Sequence, residues 1–147
     1  MNLNTLMKNN CTKANLNRME FWEQILNFLN IKKMAEIGVW KGDFSSHMLK
    51  KVASIEKYYM IDPWKKLDNW NKPFNVDDTT FENVFLEAMQ KTRFASDKIE
   101  VLRGRTLDVI NHIQDETLDF AYIDGDHTLR GITIDLMSIF PKIKGGG

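Results

Sequence analysis

Four short apolar runs constrain this chain more than any other feature. They are Met34–Val39, Tyr58–Ile61, Ile99–Leu102 and Leu118–Ile123. Their length suits strands rather than buried helices. Each is followed by a segment with helical spacing of its apolar residues. After the first come Phe44, Met48, Leu49, Val52 and Ile55 on one face, with Asp43 placed to cap them. After the second, a polar loop from Lys65 to Asp78 leads to a helix over Thr80–Thr92, with Phe81, Val84, Phe85, Ala88 and Met89 inward. Thr106–Gln114 follows the third run and Leu129–Lys142 the fourth. Such alternation predicts an α/β fold, a mostly parallel sheet covered by helices on both faces with right-handed crossovers. A leading helix is predicted over Met19–Leu29, where Trp22, Ile25, Leu26 and Leu29 form one stripe and Asn17 with Glu20 resembles a capping box. No internal repeat is present.

At 147 residues and 43% hydrophobic content, one domain with a real core is expected. The 20 Lys and Arg balance 20 Asp and Glu, which argues against a nucleic-acid partner. The Lys pairs at 32–33, 50–51 and 65–66 read as solvated surface. The single cysteine, Cys11, excludes an intrachain disulfide and gives no sign of an oxidising compartment. MNLNTLMKNN lacks the apolar run of a secretory signal, and no window approaches the ~18 apolar residues of a membrane span. A cytoplasmic protein without membrane or nucleic-acid partners is the expectation. Residues 1–16, Asn-rich and aperiodic, read as an N-terminal arm, and 17–147 as the domain.

In an open α/β sheet, ligands bind outside the carboxyl ends of the strands. The four ends carry Glu36-Ile-Gly38-Val-Trp-Lys-Gly42-Asp43, Asp62-Pro63-Trp64, Arg103-Gly104-Arg105-Thr106 and Asp124-Gly125-Asp126-His127. Gly38 and Gly42 let the backbone turn sharply and approach a ligand. Asp62, 24 residues beyond Gly38, stands where an acid hydrogen-bonds the ribose hydroxyls of a nucleoside. A dinucleotide site wants G-x-G-x-x-G. Counting from Gly38, the second and third positions are Trp40 and Asp43, and an acid there would face a pyrophosphate. The pattern suits a nucleoside without phosphate.

AEIGVWKGDFS, YYMIDPW and LDFAYIDGDHT, in this order and spacing, resemble the motifs of class I S-adenosylmethionine-dependent methyltransferases. The likeness covers roughly residues 20–147 and is closest to the small-molecule O-methyltransferase-like branch that often carries IDGDH. It implies a Rossmann-like three-layer sandwich and methyl transfer from S-adenosylmethionine to a small-molecule acceptor, at a hydroxyl oxygen. It also implies roles. Glu36, Gly38, Val39 and Gly42 would hold the methionine half of the cofactor. Asp62 would take the ribose hydroxyls. Pro63, Trp64, Gly104, Arg105 and Thr106 would surround the adenine. Asp124 would lie at the reacting end, as a partner of the cofactor or, with Asp126, as a ligand of a divalent metal such as magnesium. His127 would serve as the base for the acceptor hydroxyl or would orient its turn. Trp64 and Trp70 would wall an acceptor pocket or anchor their loop by packing.

The sequence ends at Gly145-Gly146-Gly147, where the family continues into a fifth strand. A domain with its first four strands present and its C-terminal strands missing is expected. The fourth strand is then an open edge that would favour a homo-oligomer. Three other readings stay open: a non-catalytic S-adenosylmethionine-binding remnant, an NAD-dependent oxidoreductase, and a structural or interaction module that binds no nucleoside.

Overall fold

The structure is a computed structural model that describes Thr5, Met7, Lys8, residues 17–68, Trp70 and residues 73–145. Apart from those first three residues, the expected 1–16 arm, with Cys11, lies outside the described residues. Strands β1 (Lys33–Ile37), β2 (Lys57–Asp62), β3 (Ile99–Arg103) and β4 (Phe120–Ile123) form one parallel sheet in the order β3-β2-β1-β4. The helices are α1 (Arg18–Phe28), α2 (Asp43–Lys51), α3 (Asp78–Thr92), α4 (Thr106–Val109) and α5 (Leu129–Ile139). The chain steps outward from β1 to β3, then returns to lay β4 beside β1. This reversal opens a crevice at the carboxyl ends of β1 and β4.

Strand alternation sorts the core into two layers. Met34, Tyr58 and Met60 pack with Leu26 of α1, Met48 of α2 and Val84 of α3. Ala35, Ile37, Ile61 and Leu102 face Ile110, Ile113 and Ile139 on the opposite side. The α/β sandwich is therefore the predicted one. No helix among the described residues is long and apolar enough to cross a membrane.

Local departures have physical causes. The capping box at Asn17 and Glu20 forms as predicted. Asp43 does not cap α2. Gly42 holds the cap position at φ 72°, and Asp43 is instead the first helical residue, paired with Lys91 at 2.6 Å. The helix expected over Thr106–Gln114 tightens into a 3₁₀ turn at Ile110–His112. That expected over Leu129–Lys142 does the same at Phe140–Lys142, around Pro141. The predicted fourth strand shortens because Leu118 leaves β1 and bridges Ile143 in parallel fashion. The Lys144 N–H donates to the Leu118 carbonyl at 2.9 Å. The segment after α5 thus lies against the approach to β4, while Phe120–Ile123 pairs with β1 alone among the described strands.

Gly42 is a packing glycine. A Cβ there would stand 3.0 Å from the Ala88 Cα of α3, in a left-handed backbone. Gly42→Ala is expected to cost roughly 1–3 kcal/mol. A urea-denaturation midpoint equal to that of the unsubstituted chain would refute this account.

Candidate functional site

Asp62 organises the strand-end rim. It closes β2, and the residue is 8% exposed. Oδ2 accepts the backbone N–H groups of Val39 and Trp40, both at 3.0 Å, and Oδ1 accepts that of Trp64 at 2.8 Å. The Trp64 indole N–H then donates to the Trp40 carbonyl at 2.8 Å. Trp40 and Trp64 have φ of 52° and 38°, a region bulky residues rarely occupy. The carboxylate satisfies the amides that these strained turns expose. Burial pushes its pKa above the usual carboxylate range, against the pull of the three amides and of Arg103.

Gly38, at φ 86°, follows β1. A Cβ on it would lie 2.4 Å from the Asp124 carbonyl oxygen. No side chain fits between the β1 and β4 loops, so they meet backbone to backbone. Around this contact opens a cleft of about 420 Å³. One bank carries Gly104, Thr106, Gly125, Asp126, Arg130 and Asp135. The other carries Trp40, Lys65, Leu67, Trp70, Phe74 and Phe81.

Of the sequence-predicted site residues, the fold brings Gly38, Asp62, Pro63, Gly104, Arg105, Thr106, Asp124 and Asp126 to this cleft. Five expected there do not line it. Glu36 is 2% exposed and turned beneath the β1 loop, where Ser45 Oγ and Tyr58 Oη donate to its Oε2, the latter at 2.7 Å. Val39 contributes its side chain to the core, and Gly42 packs on α3. Trp64 is 1% exposed and belongs to the core, edge-on to Phe85. His127 projects outward with a 72% exposed side chain and borders a second hollow with Ile132 and Leu136. The two tryptophans expected to act together are therefore divided: Trp64 anchors, Trp70 faces the cleft.

Other groups at the cleft escaped sequence reasoning. Asp135 is 7% exposed and accepts from Thr106 Oγ1 at 2.6 Å. Burial raises its pKa above the ordinary value. Its signal was available, since Gly131, Asp135 and Ile139 form the inward stripe of α5 at spacing four and a carboxylate is out of place there. Arg18 of α1 donates to Asp124 Oδ2 at 2.8 Å, and no sequence spacing reveals that pair. Trp40, Phe74 and Phe81 form an aromatic bank, with Trp40 centroids 5.8 Å from Phe74 and 6.0 Å from Phe81.

The donor set does not fit a metal. Asp124 is shared by Arg18 and by His127 Nε2, the latter at 3.1 Å, and Asp126 accepts from the Thr128 N–H and hydroxyl at 3.0 and 2.9 Å. Among the described residues no group of three or more His, Cys, Asp or Glu side chains is placed to hold an ion. The expectation of a divalent metal on Asp124 and Asp126 is therefore not supported, because both carboxylates are engaged in local bonds.

The strand-order reversal defines a Rossmann-like α/β domain with a cleft at its carboxyl edge. Residues 35–147 match the methyltransferase-domain family, and the chain belongs to it. No curated protein matches the chain in sequence. Among solved structures it is similar to a protein assigned as a caffeoyl-CoA O-methyltransferase from Staphylococcus aureus, with a TM-score of 0.66 and 16% identity over 100% of this chain and 64% of that one. It is also similar to the O-methyltransferase TomG of Streptomyces achromogenes in complex with S-adenosylmethionine, with a TM-score of 0.64 and 12% identity over 98% and 62%. An O-methyltransferase of Bacillus cereus in complex with S-adenosylhomocysteine gives 0.54 and 17% over 84% and 52%. These identities speak for the fold. The chain spans between 52% and 64% of the length of these three proteins.

Burial pushes the Glu36 carboxyl up from 4.5 to about 8, although Ser45 and Tyr58 hydrogen bonds pull it down. Between those values the native chain keeps a proton that the unfolded chain has released, so stability falls as pH rises across this window. Glu36→Gln removes that titration and keeps an oxygen for Ser45 and Tyr58. Urea midpoints taken between pH 5 and 8 are expected to decline less steeply in the variant. Parallel declines would show that Glu36 does not carry the shift.

Proposed function

We propose that this chain binds S-adenosylmethionine and forms the cofactor-holding part of an enzyme that methylates a small molecule at a hydroxyl oxygen. One observation carries the reading: in a member of a methyltransferase-domain family, a single cleft is built from all four strand ends around a glycine that admits only backbone. The likeness to O-methyltransferases, two of them in complex with S-adenosylmethionine or S-adenosylhomocysteine, supports the choice of cofactor and of oxygen as acceptor.

On this reading Gly38 passes the methionine half close to backbone. Asp62 uses three of its roughly four lone-pair directions on amides and keeps one for a ribose hydroxyl. Pro63, Gly104, Arg105 and Thr106 flank the base. Glu36, Val39, Gly42 and Trp64 act beneath the surface, as residues that position the loops. The cofactor, when bound, supplies a methyl group already activated by its sulfonium. What remains for the chain is alignment of the acceptor and removal of its proton. Asp124 holds His127 through Nε2. His127 borders the hollow beside the cleft and not the cleft itself, so on this reading it serves an acceptor hydroxyl seated in that hollow, through the ring nitrogen turned away from Asp124.

Calorimetric titration with S-adenosylhomocysteine is expected to give micromolar binding. Asp62→Ala is expected to weaken it at least about tenfold, the range for hydrogen bonds to a charged group, and NAD to give no heat. A folded chain that binds NAD but not S-adenosylhomocysteine would replace this reading with the dehydrogenase one. Binding without turnover of any hydroxyl acceptor would favour the non-catalytic one.

A further inference from the structure

Four acids line the cleft, Asp62, Asp124, Asp126 and Asp135. In the first three, each carboxylate oxygen has a hydrogen-bond partner in the chain. Asp135 differs. The residue is 7% exposed, and its Oδ1 accepts the Thr106 hydroxyl at 2.6 Å. Its Oδ2 has no donor among the described residues. Withdrawing a carboxylate oxygen from bulk water without giving it a donor is costly. This oxygen is nevertheless not sealed into the core: Asp135 lines the cleft, and Oδ2 keeps access to it.

Its neighbours account for that access. A Cβ on Gly125 would stand 3.0 Å from Oδ2 and 3.5 Å from Ile37 Cγ2. Glycine at this position leaves the oxygen uncovered on the side of the β4 loop. Thr106, at the start of α4, holds the other oxygen and so fixes how the carboxylate is turned. The ends of β3 and β4 thus converge on one acceptor that neither of them fills. An occupant that meets it must bring a donor. In the cofactor reading, Gly104 and Thr106 flank the base. An adenine joined to its sugar has a single N–H donor group, the exocyclic 6-amino group, and its free ring nitrogens only accept.

We infer that Asp135 Oδ2 accepts a hydrogen bond from the 6-amino group of the adenine base, which makes a side chain of α5 the determinant that selects a 6-aminopurine. The inference rests on the cofactor reading above. Asp135 contributes recognition and takes no part in the transfer step.

The test is a pair of calorimetric titrations of the full chain, with S-adenosylhomocysteine and with S-inosylhomocysteine, which carries a 6-oxo group in place of the amine. The unsubstituted chain is expected to prefer the adenosyl compound at least about tenfold, the range for a hydrogen bond to a charged group. Asp135→Asn is expected to shrink that preference severalfold, because an amide accepts more weakly and can turn its NH₂ toward a 6-oxo group. Gly125→Ala keeps Asp135 and places a methyl against Oδ2, and it is expected to shift the preference in the same direction. The preference is a ratio within one protein, so loss of stability in a variant does not imitate the effect, and Gly125→Ala decides if Asp135→Asn fails to fold. Equal binding of both compounds by the unsubstituted chain, or an unaltered preference in the folded variants, overturns this inference and leaves the cofactor reading standing. Absence of S-adenosylhomocysteine binding to the folded, unsubstituted chain overturns both.

Discussion

One buried carboxylate holds the functional edge of this domain together. Asp62 accepts three backbone N–H groups from two different strand-end turns, so a single side chain fixes the β1 and β2 loops relative to each other. Removing it would leave three amides to find other partners and two tryptophans in left-handed backbone without the bonds that hold them there. The charge is costly to bury, and its raised pKa records that cost. A neutral side chain would be cheaper in the core. It would hold the turns less firmly, because amide N–H groups bond more weakly to a neutral acceptor than to a charged one.

The second acid of this region is arranged the opposite way. Glu36 sits one layer below, closed off from the cleft by the loop it supports, and meets Ser45 of α2 and Tyr58 of β2. Its proximity to Asp62 and Asp124 adds a smaller upward push to that of burial. Two acids near one rim thus divide the work. Asp62 shapes the surface, and Glu36 ties β1, β2 and α2 beneath it.

The architecture was legible because it depends on periodicity. Short apolar runs alternating with amphipathic segments specify a parallel sheet wherever the helices must cover both faces. The strand-end residues were legible because topology forces them to one rim. Depth was not legible. Whether Val39 or Gly38, Trp64 or Trp70 lines the cleft depends on φ values and on which neighbour fills the space, and one-letter spacing carries neither. Gly42 shows the ambiguity well: its left-handed turn was foreseeable, but its partner is Ala88 of α3 rather than a ligand. Contacts between distant segments were the least accessible. Asp135 left a trace as a carboxylate on an inward stripe, whereas Arg18 left none.

That last residue bears on how the β4 end of the rim is assembled. The family match begins at residue 35, and α1 precedes it. Trp22 seats α1 on β4 through Phe120 and Tyr122, at centroid distances of 5.2 and 5.8 Å, and Phe44 of α2 stacks on Tyr122 at 4.0 Å. This packing brings Arg18 to Asp124, which also holds His127. The Arg18 side chain is 57% exposed, so the ion pair adds little to stability. Its consequence is geometric. With Oδ2 directed to Arg18, Oδ1 is the atom left for the histidine, and the orientation of His127 comes to depend on a helix outside the matched segment.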